Sequence, residues 1–257
     1  MKKFTAILLA LLLFIQLVPF SYAEQGNKII ASATDVIGLI QTAGETTTAA
    51  LTLTKVFLHK GESAYPAYLL TLDGTRFMLS NYNNPAACVL SSLDLNSTYF
   101  YEAKKVLLNN VPTGAKLLIA GHSLGGMIAQ QLASDRTLKA RYEILNTLTA
   151  GSPAILTGSR EGSIHRLAVR TDIVPALGLG SILKGCTLFS VEKSTKWENL
   201  IDRHMSYGWD PVWDSYDAFG EKNGNVYLTL NEKDIQLYGV SRSKLVRLLV
   251  KIYAGEY

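Results

Sequence analysis

The residues Gly121-His122-Ser123-Leu124-Gly125 form the pattern Gly-x-Ser-x-Gly, which is typical of a serine on a tight strand-to-helix turn. The outer glycines are needed because a Cβ at either position would strike the neighbouring strand or helix. The turn exposes the Ser123 hydroxyl at a helix start, where the backbone N–H of Leu124 can stabilise an oxyanion. The pattern therefore predicts nucleophilic acyl transfer at Ser123. The alternative is a glycine-rich turn with an incidental serine.

A serine nucleophile needs a base to remove its proton, and the chain has four histidines. His59 precedes the serine pattern, His122 lies inside it, and His165 comes at the amino end of an apolar strand run. His204 lies downstream in a polar stretch, which suits a base carried by a loop and the chain order serine, acid, histidine. Sequence order therefore favours His204 as the base, and the alternative is a surface histidine.

The acid that orients the histidine is predicted to be Asp172. It comes shortly after the apolar run at residues 167–169, so it is expected at the carboxyl end of a strand. Asp202 is too close to His204 along the chain to orient it easily. Three later aspartates are interleaved with aromatic residues, which favours a packed loop over a cation site. They are Asp210, Asp214 and Asp217. The alternative for Asp172 is a helix cap or a turn aspartate.

The elements that position these residues alternate between strands and helices. A helix is predicted at residues 97–110, a central parallel strand at 116–120, a helix after Ser123, and strands at 144–148 and 167–169. Such alternation predicts an α/β fold, with a mostly parallel central sheet and helices on both faces. The chemistry is expected at the carboxyl ends of the strands.

Two regions nearer the amino terminus are less regular. Residues 27–60 are compatible with either strands or helix, because threonines favour strands while length and alanines allow a helix. Residues 66–72 and 75–80 are apolar runs on either side of Asp73-Gly74. This spacing predicts a hairpin of two largely buried strands.

The composition excludes several classes of protein. With 257 residues, 48% of them hydrophobic, and two cysteines, the chain is not disordered, collagen-like or a disulfide-dense miniprotein. Residues 24–257 carry 23 basic and 21 acidic side chains, a formal charge of +2. This part of the sequence has no internal repeat, low-complexity tract or linker that would divide it into domains. We therefore expect a single domain and no nucleic-acid partner.

Residues 1–23 have the layout of a signal peptide. They contain 17 hydrophobic residues, two lysines near the start and no acidic residue, and they end in Ser21-Tyr22-Ala23. Cleavage there predicts a secreted or periplasmic protein, and the alternative is an uncleaved anchor. Export implies an oxidising compartment, in which Cys88 and Cys186 either pair or remain buried free thiols.

Residues 243–253 place leucines and an isoleucine on one helical face, with basic residues elsewhere. A basic amphipathic helix of this kind either lies on anionic lipid or packs onto its own domain. The sequence of this segment is therefore compatible with peripheral membrane contact and equally with packing onto the domain itself.

Four segments together resemble the class 3 (fungal-type) lipase family of α/β-hydrolases. They are the serine pattern with its double glycine, Ala150-Gly151-Ser152-Pro153, Arg170-Thr171-Asp172-Ile173-Val174-Pro175, and His204 with Tyr207. The resemblance covers about residues 65–210. It implies an α/β-hydrolase-like fold and a Ser123, Asp172 and His204 triad that acts on carboxylic esters of lipids without a cofactor or a metal.

The chain departs from this family in one place. The family carries a Phe-Arg-Gly-Thr-like segment after an early strand, which supplies the second oxyanion donor. By position that donor would be the backbone of Tyr82, and an alternative register uses Gly74-Thr75. Residues 83–96 then occupy the place of the family's lid. A disulfide between Cys88 and Cys186 would tether this lid beside the site.

The leading hypothesis is a secreted triacylglycerol lipase or esterase that works through an acyl-enzyme, with a lipid or other ester as its substrate. Phospholipase A1 or lipid acyltransferase activity on the same triad is an alternative. An alternative of another class is a non-catalytic lipid-binding protein without a working oxyanion hole.

Overall fold

A computed structural model describes residues 27–47, 49–75, 95–156, 158–184, 188–193 and 200–239. Within these residues the chain forms nine strands and six α-helices. The strands are β1 (Lys28–Ile30), β2 (Leu51–Lys60), β3 (Ser63–Leu72), β4 (Lys116–His122), β5 (Glu143–Ala150), β6 (Ser163–Val169), β7 (Ser190–Glu192), β8 (Val226–Leu230) and β9 (Gln236–Tyr238). The helices are α1 (Ala33–Thr47), α2 (Thr98–Asn110), α3 (Leu124–Ser134), α4 (Arg136–Arg141), α5 (Leu179–Lys184) and α6 (Leu200–Met205).

All nine strands belong to one mixed sheet of order β1-β8-β2-β3-β4-β5-β6-β7, in which β9 also pairs with β2. The five strands from β3 to β7 are parallel to one another, whereas β2 is antiparallel to both β3 and β8. The predicted α/β arrangement with a mostly parallel sheet is confirmed. Because β3 to β7 are parallel, their carboxyl ends lie along one edge of the sheet.

Helices cover both faces of the sheet, as predicted. Strand side chains alternate between the faces, so Leu70 and Ile119 pack with α2 and α3 while Leu69 and Leu118 pack with α1. The described residues therefore form two apolar cores, one on each side. Burial of this kind is the main term that stabilises such a layered domain.

The region left open at residues 27–60 contains both kinds of element. The start of α1 has a reciprocal cap, in which Asp35 accepts hydrogen bonds from the Ser32 backbone and its own N–H donates to Ser32 Oγ. Of the threonines that favoured strand, Thr52 and Thr54 lie buried in β2, whereas Thr46 and Thr47 end α1.

The predicted hairpin of residues 66–72 with 75–80 is wrong. β3 instead pairs antiparallel with β2, through a turn in which Gly61 has φ +60°. Its other edge pairs with β4 from Tyr68 to Leu72, so neither edge is left for a later strand. Asp73-Gly74 follows β3 at the edge of the sheet where the carboxyl ends of the parallel strands lie, and it does not form the turn of the predicted hairpin. Residues 76–80 lie outside the described residues.

The remaining predicted elements are confirmed. The helix expected at 97–110 is α2, with Ser97 as its N-cap, and the strand expected at 116–120 is β4. The helix after Ser123 is α3, and the last two predicted strands are β5 and β6.

Several predictions fall on residues outside the described ranges. These are the signal peptide at residues 1–23, Tyr82, residues 83–94 of the lid segment (which include Cys88), Cys186, and the amphipathic segment 243–253.

Among the described residues, no helix has both the length and the apolar character needed to cross a membrane.

Candidate active site

Ser123 lies on the turn between the end of β4 and the start of α3. Its backbone has φ 53° and ψ −122°, a conformation that costs a non-glycine residue about 1–3 kcal/mol. The Ser123 N–H donates to the Ala150 carbonyl at 3.0 Å, and the Ser123 carbonyl accepts from the Gly126 N–H at 3.0 Å. These bonds hold the strained turn and fix the direction of the side chain.

Two glycines allow the turn to close. A Cβ on Gly121 would lie 2.3 Å from the Gly125 carbonyl oxygen, and a Cβ on Gly125 would lie 2.2 Å from the Leu72 carbonyl oxygen. Both contacts are with backbone, which cannot move aside as a flexible side chain can. The steric reason predicted for the outer glycines of the pattern is therefore confirmed, with helix on one side and strand on the other.

The structure brings Ser123, His204 and Asp172 into one hydrogen-bonded chain. His204 Nε2 lies 2.8 Å from Ser123 Oγ, and His204 Nδ1 lies 2.9 Å from Asp172 Oδ2. Because a carboxylate only accepts, Nδ1 carries the proton and Nε2 is left to accept from the serine hydroxyl. This is the arrangement that general-base activation of a serine requires.

Burial differs along this chain of three side chains. The Asp172 side chain is 1% exposed, whereas 15% of the His204 side chain is accessible. The acid is thus shielded from water, whereas the base is partly accessible. A base that is not fully buried can be reached by a substrate.

Asp172 lies at the carboxyl end of β6, as predicted. Its Oδ1 accepts from the Val174 N–H at 2.9 Å, and its own N–H donates to the Val169 carbonyl at 2.9 Å. His204 is in the last turn of the short helix α6 and not in a loop, so that part of its prediction is wrong. The polar sequence around it gave no apolar period that would have indicated a helix.

Tyr207 is a further member of the site. Its hydroxyl donates to Asp172 Oδ2 at 2.9 Å and accepts from the Val169 N–H at 2.8 Å. Burial, with a smaller contribution from the Asp172 charge, raises the pKa of Tyr207 well above its usual value. Tyr207 therefore remains a neutral donor to the carboxylate. In sequence it entered only beside His204 in the family resemblance, and its contact with Asp172 was not predicted.

Two side chains hold the backbone around His204. His122 Nε2 donates to the His204 carbonyl at 2.7 Å. Gln41 of α1 donates to the Met205 carbonyl at 2.6 Å and accepts from the Gly208 N–H at 2.8 Å. In the sequence His122 was noted only as a residue inside the serine pattern, and nothing indicated Gln41.

Of the oxyanion donors, Leu124 is the first residue of α3, so its N–H has no acceptor within the helix. This N–H belongs to the positive end of the helix dipole beside Ser123. Tyr82 lies outside the described residues. The alternative segment Gly74-Thr75 comes next to the nucleophile, since a Cβ on Gly74 would lie 3.1 Å from Ser123 Cβ.

The other candidate residues lie elsewhere. His59 stacks on Tyr227 with ring centroids 4.4 Å apart, and His165 lies in β6 towards its amino end. Asp217 accepts backbone N–H groups at 2.9–3.0 Å, so it stabilises a packed loop as predicted. Among the described residues, no group of three or more His, Cys, Asp or Glu side chains is placed to hold a metal ion.

The chain matches no family model, no curated protein and no solved structure. The chemistry of the site therefore has to be inferred from the geometry of Ser123, His204 and Asp172.

Proposed function

We propose that this protein is a serine hydrolase that cleaves carboxylic esters of lipids through an acyl-enzyme on Ser123. The observation that carries the proposal is the hydrogen-bonded chain from Ser123 Oγ through His204 to Asp172, on a strained strand-to-helix turn. A structural serine has no need of a partly accessible imidazole at 2.8 Å that is itself oriented by a buried carboxylate.

In the acylation step, His204 Nε2 takes the Ser123 proton as Oγ bonds to the ester carbonyl carbon. The carbonyl π electrons move to oxygen, and the Leu124 N–H stabilises the resulting oxyanion. When the tetrahedral intermediate collapses, the bond to the alcohol oxygen breaks and His204 donates its proton to that oxygen. The products of this step are a free alcohol and acyl-Ser123.

Deacylation repeats the sequence with water. His204 removes a proton from water as the water oxygen attacks the acyl carbon, and it then returns that proton to Ser123 Oγ. A carboxylic acid leaves and the enzyme is restored. Asp172 stabilises the imidazolium in both steps, and Tyr207 keeps the carboxylate in position.

The α/β-hydrolase fold and the resemblance to class 3 lipases belong to the same proposal. They are supported by the position of the nucleophile after β4, the acid after β6 and the base further along the chain. Gly74-Thr75 is the segment we favour for the second oxyanion donor, because of its approach to Ser123. Phospholipase A1 and acyltransferase activities would use the same groups, so a panel of triglycerides, phospholipids and short-chain esters identifies the substrate.

Replacement of Ser123 by Ala tests the proposal. We expect ester hydrolysis to fall by about 10⁴-fold or more, with an unchanged circular dichroism spectrum, because the nucleophile alone is removed. A fluorophosphonate should label the wild-type protein and not the variant. Ser134→Ala is a matched control, since it removes a hydroxyl from the same helix that bonds only the Gln130 carbonyl.

Two outcomes would contradict the proposal. Ester hydrolysis at the wild-type rate by Ser123→Ala would place the chemistry elsewhere. A wild-type protein that binds lipid but takes no fluorophosphonate label would favour the non-catalytic alternative.

A further inference from the structure

A cavity of about 360 Å³ lies between α1 and the antiparallel part of the sheet. This volume falls within the range of small-molecule sites, about 300–1,000 Å³. The described residues that line it come mainly from α1, β2, β3 and the segment that contains β9. Ser123, His204 and Asp172 are not among them, so the cavity is separate from the candidate active site.

Threonines form the part of the cavity wall that belongs to the sheet. Thr52 and Thr54 of β2 and Thr71 of β3 line the cavity, and only 2–5% of each residue is exposed. Because side chains alternate along a strand, they share a face with Val56 and Leu69, which pack in the core beside α1. Buried polar groups are normally hydrogen-bonded, so three hydroxyls on a core-facing surface need partners.

The protein supplies only part of the hydrogen bonding that these hydroxyls need. Thr52 Oγ1 and Thr71 Oγ1 bond each other at 2.6 Å, which uses one of their two protons and leaves the other for a further acceptor. The Thr54 hydroxyl makes no hydrogen bond with any residue that the structure describes. On α1, the buried hydroxyl of Thr34 likewise has no partner within the described part of the chain. A ligand that carries hydroxyls of its own would provide these partners.

The charged groups that line the cavity are engaged with the protein itself. Lys28 Nζ lies 3.4 Å from Glu232 Oε1. Asp35 Oδ2 accepts from the backbone N–H groups of Ala31 and Ser32 at 2.9–3.0 Å. Among the described residues that line the cavity, no charge is therefore left without a partner, which favours a neutral ligand.

The rest of the cavity wall is largely apolar. Leu39 of α1, Ile235 and Leu237 line it, together with Gly38, which has no side chain. Ligand carbon atoms can pack against such a surface while hydroxyls bond the threonines. A molecule with hydroxyls on a short carbon chain or ring has both properties.

We propose that this cavity binds a small neutral polyol, whose hydroxyls bond Thr34 and Thr54 and whose carbon atoms contact Leu39 and Leu237. An open-chain polyol such as glycerol and a monosaccharide share this chemistry, and the experiment distinguishes them. An acyl chain is disfavoured, because it would leave the threonine hydroxyls without partners. The site does not depend on the hydrolase function proposed above, since no member of the catalytic chain lines it.

Titration of the ¹⁵N-labelled protein with glycerol and, separately, with glucose measures binding. We expect one of the two to shift the amide signals of Gly38, Thr54 and Gly208, which line the cavity, with a millimolar dissociation constant. The tighter of the two identifies an open-chain or a ring ligand. Propan-1-ol, which has a single hydroxyl, is the matched probe and should not produce these shifts.

The double variant Thr34→Val/Thr54→Val tests the hydroxyls. It should weaken binding by about tenfold or more, because two hydrogen bonds to the ligand are lost with little change of shape. The control is Thr147→Val/Thr149→Val, which removes two buried hydroxyls of β5 that also have no partner among the described residues and do not line the cavity. The control should change the dissociation constant by no more than about twofold. Both double variants should fold, because each hydroxyl that they remove is unbonded.

Three outcomes would overturn the proposal. They are no localised shifts with either polyol, shifts confined to residues around Ser123, and equal affinity of the two double variants for the polyol. Ser123→Ala should bind the polyol as the wild type does. Binding at the cavity by a protein that hydrolyses no ester would retain the polyol site and refute only the proposed function.

Discussion

At the scale of single residues, the Asp172 carboxylate is the most fully bonded group of the candidate site. Oδ2 accepts from His204 Nδ1 and from the Tyr207 hydroxyl, and Oδ1 accepts from the Val174 N–H. Three donors on a buried carboxylate leave it little rotational freedom. The orientation of the imidazole is therefore set by groups in the segments that follow β6 and α6.

Tyr207→Phe tests this arrangement. The change leaves the buried Val169 N–H without its acceptor, which should cost about 1–3 kcal/mol of unfolding free energy. It also removes a donor from Asp172, so kcat should fall by about tenfold while KM stays near its wild-type value. Urea unfolding and steady-state kinetics measure the two effects. Tyr227→Phe, at an exposed tyrosine on β8, is the control, and equal kcat values for Tyr207→Phe and wild type would show that Tyr207 serves stability alone.

Gln41→Met tests the support of the His204 backbone. Methionine fills a similar volume but makes neither the bond to the Met205 carbonyl nor the bond to the Gly208 N–H. We expect a slower reaction of Ser123 with a fluorophosphonate, by about tenfold, because His204 loses its fixed distance from Oγ. Gln131→Met removes a glutamine that bonds the Leu95 carbonyl and is the matched control. If both variants react at the wild-type rate, Gln41 does not position the base.

At the scale of elements, the close approach of β3, β4 and α3 determines where the nucleophile lies. Gly121 and Gly125 allow backbone to meet backbone at this junction, and Gly126 faces Ser152, whose Cβ would lie 2.5 Å from an added Cβ. The turn that presents Ser123 is therefore a consequence of three glycines and of the strand that ends at Leu72. Larger residues at these glycines would separate the elements.

Gly125→Ala tests this junction. The added methyl would lie 2.2 Å from the Leu72 carbonyl oxygen and 2.6 Å from that of Asp73, so either the turn opens or the strand shifts. We expect a loss of about 2–4 kcal/mol of unfolding free energy, or failure to fold, as for severe overpacking. Gly158→Ala is the control, because nothing lies within 4 Å of its added Cβ. A Gly125→Ala protein with wild-type stability in urea would mean that the junction has room to relax.

Local patterns were sufficient to predict β4, α3 and the serine turn, since an apolar run, a helical period and two glycines lie within some twenty residues. They were also sufficient to place Asp172 at a strand end. The pairing of β3 could not be predicted in this way, because Asp73-Gly74 resembles a turn while the true partner is determined by the whole register of β2. Gln41 could not be predicted either, because it bonds a carbonyl 164 residues away.

At the scale of the whole molecule, four neighbouring parallel strands deliver the site. Gly74 follows β3, Ser123 follows β4, Gly151 follows β5 and Asp172 follows β6. A Cβ on Gly151 would lie 2.9 Å from the Tyr207 ring and 3.2 Å from Asp172 Oδ2, so the end of β5 also closes against the acid. The parallel register of these strands places groups nearly 100 residues apart side by side.

Outside the candidate site, the loop at Gly220 packs against His165 of β6, since a Cβ on Gly220 would lie 2.9 Å from His165 Cβ. Burial lowers the pKa of His165, and Asp217, Glu221 and the Gly220 backbone offset part of that effect. In the unfolded chain the group titrates near its ordinary value of about 6.5. At pH values between the lowered pKa of the folded state and the ordinary pKa of the unfolded state, the unfolded chain binds more protons at His165. The free energy of unfolding therefore rises with pH across this range and decreases as the pH falls through it.

His165→Gln should therefore weaken the pH dependence of stability. The free energy of unfolding of the wild type is expected to decrease more steeply from pH 7 to pH 5 than that of the variant, because the variant has no buried imidazole to protonate on unfolding. Urea unfolding at several pH values gives both slopes, and His59→Gln, at a histidine stacked on Tyr227, controls for the loss of an imidazole as such. Identical slopes for wild type and His165→Gln would mean that contacts of Asp217 and Glu221 compensate fully for the burial of His165.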